Sequence, residues 1–318
     1  MPASLAARGQ RKHIIRRAIQ QNQADVREIL LTSKARVDSA ILQAARDSRF
    51  ATSARVRDRL YGDIQGMYER MGGDLAKWNS TMTRETMREW HNLGIKDLPA
   101  AERAASFAQF SSRHLEDYLS YVNPLGAKSL TAVNTLASQD VRWLRHQFVE
   151  VFQDAQVQGL SMREMSKTLQ SRVLDPRPDW KFIDTAGRAW KPEHYFNMVT
   201  RTSVADISRQ SYVDTASDAG HDLFLVEGGA PTAPPPDPCW DYYGQILSLT
   251  GNTPGYATVA QAEGDGLFHP NCVHFLAVVL PEEIPQATLI QERADEGRSD
   301  AAEAATAAHE ESKKRQAA

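Results

Sequence analysis

Apolar side chains recur at intervals of three and four through the first 120 residues. Ile15, Ile19, Val26, Ile29, Val37, Ala40 and Ala44 follow this spacing, with Asn22 and Ser33 in its gaps. Val56, Leu60, Ile64, Met67, Met71, Leu75, Trp78 and Met82 continue it. Such spacing puts one narrow stripe on each helix. It predicts long helices, paired as a hairpin or coiled coil, over residues 1–125. The methionines and Trp78 on the stripe read as packing. Gly72-Gly73 predicts a break or kink, because glycine costs ~1 kcal/mol against alanine inside a helix.

Leu98-Pro99 and Asn123-Pro124-Leu125-Gly126 read as punctuation, with a helix between them carrying Phe107, Phe110, Leu115, Tyr118 and Leu119. An amphipathic helix follows through Val133, Leu136, Trp143, Leu144, Phe148, Val151, Phe152 and Ala155, ending near Gly159. Ser161 and Glu164 form a capping box that opens a short helix. Beyond Asp175-Pro176-Arg177-Pro178 the pattern changes. Trp180 to Ile183 and Arg188 to Trp190 predict two short strands around an Asp184–Gly187 turn. Pro192 occupies a first helical position, and Gly220 closes that helix. Strands are predicted at Asp222–Val226, Ile246–Thr250 and Phe275–Leu280, with a short helix from Thr258 to Glu263. The fold class is therefore α+β: long N-terminal helices, then a small α+β module with a short sheet over 126–285. Residues 286–318, rich in Ala, Glu and Gln, predict a polar tail that is a single exposed helix or none, with nothing that demands a core.

Composition narrows the function classes. No apolar run reaches a membrane span, and no apolar signal core follows the basic start, which predicts synthesis in the cytoplasm and no membrane partner. Net charge is −3, but residues 1–60 hold 13 Lys/Arg against 5 Asp/Glu. Arg8, Arg11, Lys12, Arg16 and Arg17 form an acid-free basic arm, read either as a contact for DNA or an acidic partner, or as a solvated helix face. Removing residues 1–17 is expected to leave the C-terminal module folded.

Chemistry concentrates in His269-Pro270-Asn271-Cys272-Val273-His274, where three possible metal ligands lie within six residues. The Pro-Asn pair favours a tight turn that can aim His269 and Cys272 at one point. Cys239 is the only other cysteine. Cys239, His269, Cys272 and His274 make a Cys2His2 set suited to one structural zinc. The alternatives are buried thiols with a turn-capping histidine, or a disulfide, which a cytosolic compartment disfavours.

The stretch 236–281 resembles the C-terminal signature of the phage minor capsid protein 2 family, relatives of phage Mu F-like head morphogenesis proteins. The resemblance rests on Cys239, Tyr243-Gly244-Gln245, Ile246 to Gly251, Gly255-Tyr256, Gly266-Leu267-Phe268 and His269-Pro270-Asn271-Cys272-x-His274. Asp184, Gly187-Arg188, Tyr195 and Met198-x-x-Arg201-Thr202 extend it, so that it covers about residues 130–285. Three positions depart from the family pattern: Pro236 stands where many relatives have a first cysteine, Gln245 replaces lysine and Val273 replaces arginine. The resemblance implies a non-enzymatic virion protein in few copies, placed inside or at the portal vertex of a phage or prophage head. Its implied partners are the portal, other head proteins and packaged DNA, in head assembly, packaging or ejection. It also implies a distant ADP-ribosyltransferase-like fold. On a transferase reading, Arg201 would face a nucleotide phosphate near Ser208 or Ser248. On a zinc-hydrolase reading, Asp241 would be the base. A plain DNA-binding protein is a further alternative. Otherwise Arg201 is expected to pair with Asp206 or Asp184.

Overall fold

The striped segments form helices α1 (Lys12–Arg46), α2 (Ala54–Asp97), α3 (Ser112–Gln158) and α4 (Met162–Leu174). A hairpin follows, β1 (Phe182–Ile183) and β2 (Ala189–Trp190), then α5 (Pro192–Asp218) and β3 (Leu223–Glu227). The chain continues through α6 (Cys239–Tyr242), β4 (Ile246–Ser248), β5 (Ala257–Thr258), α7 (Val259–Gly264) and β6 (Phe275–Val278). A 3-10 turn (Pro281–Glu283) leads into α8 (Ile284–Ala317). This computed structural model describes residues 8, 11–47, 49–50, 53–103, 112–174, 180–184, 186–228, 237–272 and 274–317. Phe107, Phe110 and Pro236 lie outside the described residues, as do the side chains of Leu115, Tyr118 and Leu119. No described helix is long and apolar enough to cross a membrane.

The chain divides into two compact units, neither continuous in sequence. The first comprises residues 1–21, 82–119 and 200–318, and the second 22–81 and 120–199. Helix α3 runs through residue 125, so Asn123-Pro124 lies inside a helix. A proline there costs about 3 kcal/mol, which burial of Val133, Leu136, Leu144 and Val151 along the same helix offsets.

The second unit buries most of the predicted stripe in place, including Val26, Val37, Leu60, Ile64, Met71 and Leu75, with three positions of α1 moved by one residue. On α1 the buried positions are Val26, Leu30, Ser33, Val37, Ile41 and Ala45, while Ile29, Ala40 and Ala44 sit at the edge. Gly72-Gly73 does not break α2. A Cβ at Gly72 would lie 2.8 Å from Leu130 Cδ1, so the glycine serves the close approach of α2 and α3. Buried Asp140 accepts a hydrogen bond from the Tyr68 hydroxyl (2.6 Å), and Trp180 Nε1 donates to that hydroxyl (3.2 Å). Asp184 organises the hairpin, accepting from the backbone of Ala186 and Arg188 and from Trp190 Nε1. These bonds hold its carboxyl down at about 2. Ser161 and Glu164 make the predicted capping box at the start of α4.

In the first unit a four-stranded sheet has the order β5-β4-β3-β6, antiparallel except for β4–β5. The central strand reads Leu-Phe-Leu-Val, continuous rather than alternating, because its side chains are buried on both faces. Trp90 lies 6.3 Å from the ring of Tyr212 and 6.2 Å from that of Phe275. Ser211 donates to the Met87 carbonyl (2.9 Å), fastening α5 to the end of α2. The last helix is no free tail. Its early residues Ala287 and Ala294 are buried, and Gln291 Oε1 accepts from the Ile246 backbone (3.2 Å).

Candidate metal centre

The metal-ligand side chains come from two loops of the first unit. Asp237 starts one, its carboxylate accepting from the Cys239 backbone at 2.9 Å. This Asx-type bond turns the chain into α6 and directs Cys239 inward, where it is 1% exposed. The other loop is closed by Cys272 N donating to His269 O (2.9 Å) across Pro270-Asn271. Asn271 has φ 74°, which marks a type II turn with proline at its second position. His269 and Cys272 thus leave the two ends of one turn. Gly266, at φ 104°, lets the loops touch, since a Cβ there would lie 3.0 Å from Pro238.

The ligand atoms of Cys239, His269 and Cys272 all lie within 4.8 Å of one another. The two sulfurs are 3.6 Å apart and unbonded. His274 stands beside this trio, its Nδ1 3.3 Å from Cys272 Sγ. Around a tetrahedral zinc, neighbouring sulfur and nitrogen ligands are separated by about 3.3–3.8 Å. Both distances fall in that range, so the donor set fits a soft divalent ion. His269 Nδ1 meets the Pro270 carbonyl at 2.9 Å, which leaves Nε2 as its ligand atom. Asp237 lies 3.4 Å from that Nε2.

Electrostatics single out Cys272 as the thiolate. The hydrogen bond from Cys239 lowers it most, His274 adds to this, and the positive charge of Arg209 contributes. Cys239, sharing that hydrogen bond, is pushed up.

Helix α5 braces the loop through Thr202, which the family motif had singled out, and through Arg209 and Asp206, whose part here the sequence did not indicate. Arg209 Nη1 donates to the His274 carbonyl (3.0 Å), while its guanidinium lies 3.9 Å over the Phe268 ring. Asp206 pairs with Arg209. Thr202 Oγ1 accepts from Asn271 N at 3.4 Å. Behind His274, Gly228 has φ 134°, and a Cβ there would sit 2.8 Å from His274 Cδ2. Asp237, which the sequence reading also passed over, carried a local signal as an aspartate two residues before Cys239.

Other sequence-picked residues are placed differently. Gly244 adopts φ 75° against Ala294, where a Cβ would lie 2.5 Å away, so its role is packing. Arg201 is half-buried but does not make the expected ion pair, because Arg209 engages Asp206 and Arg188 engages Asp184. Ser208 is fully buried. Ser248 is also buried and donates to Asp222 (2.6 Å). Asp241 is exposed and lies outside the metal-ligand group.

The basic arm is corrected in part. Arg8 is 0% exposed and Arg11 7%. Arg8 donates to the Val278 carbonyl (2.6 Å) and to both oxygens of Glu283 (2.8 and 3.0 Å). Arg11 clasps Asp97 with both terminal nitrogens, and the Tyr212 hydroxyl donates to the same carboxylate. These two arginines neutralise carboxylates inside the unit and are withdrawn from any partner. Lys12 is half-buried, while Arg16 and Arg17 are exposed.

The family model for phage minor capsid protein 2 matches residues 131–317. This chain belongs to that family. The match takes in the metal-ligand cluster, the bracing helix and α8. No curated protein and no solved structure matches the chain.

Proposed function

We propose that this minor capsid protein is a structural, non-catalytic component of a phage or prophage head, whose C-terminal module is clasped by one zinc. Cys239, His269, Cys272 and His274 would hold the ion. The observation that carries this reading is the Cys239–His269–Cys272 group, its ligand atoms within 4.8 Å of one another and His274 Nδ1 3.3 Å from Cys272 Sγ, inside a family match that covers the module. Bound zinc supplies no reaction here. It ties the loop after β3 to the turn before β6 and so fixes the surface the module presents. Against a hydrolytic role, Asp241 lies apart from the cluster. The partners we infer are the portal and other head proteins, met at the portal vertex of the virion during assembly, packaging or ejection.

Elemental analysis and melting with and without chelator test the clasp. About one zinc per chain is expected, with a clear fall in melting temperature on chelation. Cys272→Ser should lose the metal and, when the head genes are co-expressed, should be missing from purified heads. Wild-type incorporation of metal-free protein would overturn the assignment.

A further inference from the structure

With Arg8 and Arg11 committed inside the first unit, the chain's concentrated positive charge lies elsewhere. Between residues 46 and 59, five arginines (46, 49, 55, 57 and 59) stand against Asp47 and Asp58. On α3, Arg142, Arg145, Val149 and Phe152 follow helical spacing and are all exposed. Ring contacts bring the two segments together within the second unit. The Arg57 guanidinium lies 3.9 Å over Phe148, and Arg145 lies 4.8 Å over Tyr61. Phe50 packs edge-on against Phe148 at 6.4 Å.

The neighbouring acids are mostly engaged. Arg49 holds Asp47 (2.7 Å), and Arg172 holds Glu150 (2.9 Å) and Asp154 (2.8 Å). Asp58 is exposed on α2. Arg57 is anchored over Phe148, its Nη1 donating to the Phe50 carbonyl (3.0 Å), while Arg55, Arg59, Arg142 and Arg145 are exposed. An exposed guanidinium offers the fork of N–H groups that fits phosphate oxygens. No base-reading motif accompanies the patch, so contacts would be to the backbone and independent of sequence.

We propose that this guanidinium–aromatic face of the second unit binds the phosphate backbone of duplex DNA. The exposed apolar residues Val149 and Phe152 could instead face a second copy of the chain. A two-fold pairing would then set this arginine face against itself, which charge disfavours. DNA satisfies the charge.

Fluorescence anisotropy of the full chain with a random duplex of about 30 base pairs, titrated between about 50 and 200 mM salt, tests the proposal. Binding should weaken steeply with salt. The double variant R57Q/R145Q, which removes the exposed Arg145 and the anchor beside it, should bind at least tenfold more weakly, with the log–log salt slope reduced by about one or more. The pair R16Q/R17Q should bind like the parent. R55Q/R142Q, which leaves both stacks intact, should also lower the slope and serves if R57Q/R145Q fails to fold. The proposal is overturned by absence of binding at about 50 mM salt. It is overturned equally by parental affinity in both double variants, or by a dimer that F152S dissociates.

Discussion

Replacing Arg8 with methionine keeps a long apolar stem and removes the guanidinium. The side chain makes two hydrogen bonds to Glu283 and one to the Val278 carbonyl, and its Nε lies 3.7 Å from Asp97. Removing one member of a buried ion pair costs about 3–5 kcal/mol, because the remaining charge stays desolvated. Two features point to the lower end. Glu283 is 14% exposed and regains some water, and Asp97 keeps Arg11. We therefore expect about 3 kcal/mol. For a unit of this size that lowers the melting temperature by about 6–12 °C. Scanning calorimetry of the zinc-loaded chain reads the shift. Arg16→Met, on an exposed position of α1, should stay within about 0.5 kcal/mol of the parent. If Arg8→Met melts with the parent, the arm is a solvated helix face and its buried pairing is wrong. The same reasoning reverses the expectation that residues 1–17 are dispensable, since their loss strips Asp97 and Glu283 together.

Two further substitutions probe the metal loop and the helical core. Gly228→Ala should weaken zinc binding and cost about 2–6 kcal/mol, the sum of a backbone conformation reserved for glycine and the overpacking of His274. Gly187→Ala, also at positive φ but with open space around it, should cost only about 1–2 kcal/mol, and equal losses from the two would refute the role of His274 contact. Burial raises Asp140 to about 6, so its protonated form is favoured in the folded state. The stability it contributes is complete below the unfolded carboxyl value near 3.9 and is lost as pH rises through about 6. Asp140→Asn should flatten the melting profile across that window and stabilise the chain at pH above 7 by roughly 1–3 kcal/mol. An unchanged profile would assign the pH dependence elsewhere.

What could be read from the sequence was local. The Pro192 start and Gly220 stop of α5, the Asp184 hairpin, the Ser161–Glu164 box and the Pro270-Asn271 turn each depend on neighbours a few residues apart, and each is found where expected. Thr258 likewise caps α7 through Gln261. The candidate ligands were legible because residue type alone limits them. Long-range contacts left no such mark. Nothing near Arg8 in the chain indicates that Glu283 receives it, and Arg209 looks like any other helical arginine. Gly72-Gly73 was misread because a glycine that weakens a helix in isolation also admits a neighbouring one. The polar composition of α8 likewise hid that alanines are what a close-packed face requires.

The pairing of Arg8 with Val278 and Glu283 also sets a clock. The first unit cannot close until its last strand and the turn beyond it have been synthesised, 275 residues after the arginine. At about 5–20 residues per second, that is a wait of roughly 15–55 s. Through that interval the nascent amino terminus carries a charge whose partners do not yet exist. A copy cut short before β6 never satisfies it. Closing of this core therefore waits on the strand and turn that carry Val278 and Glu283.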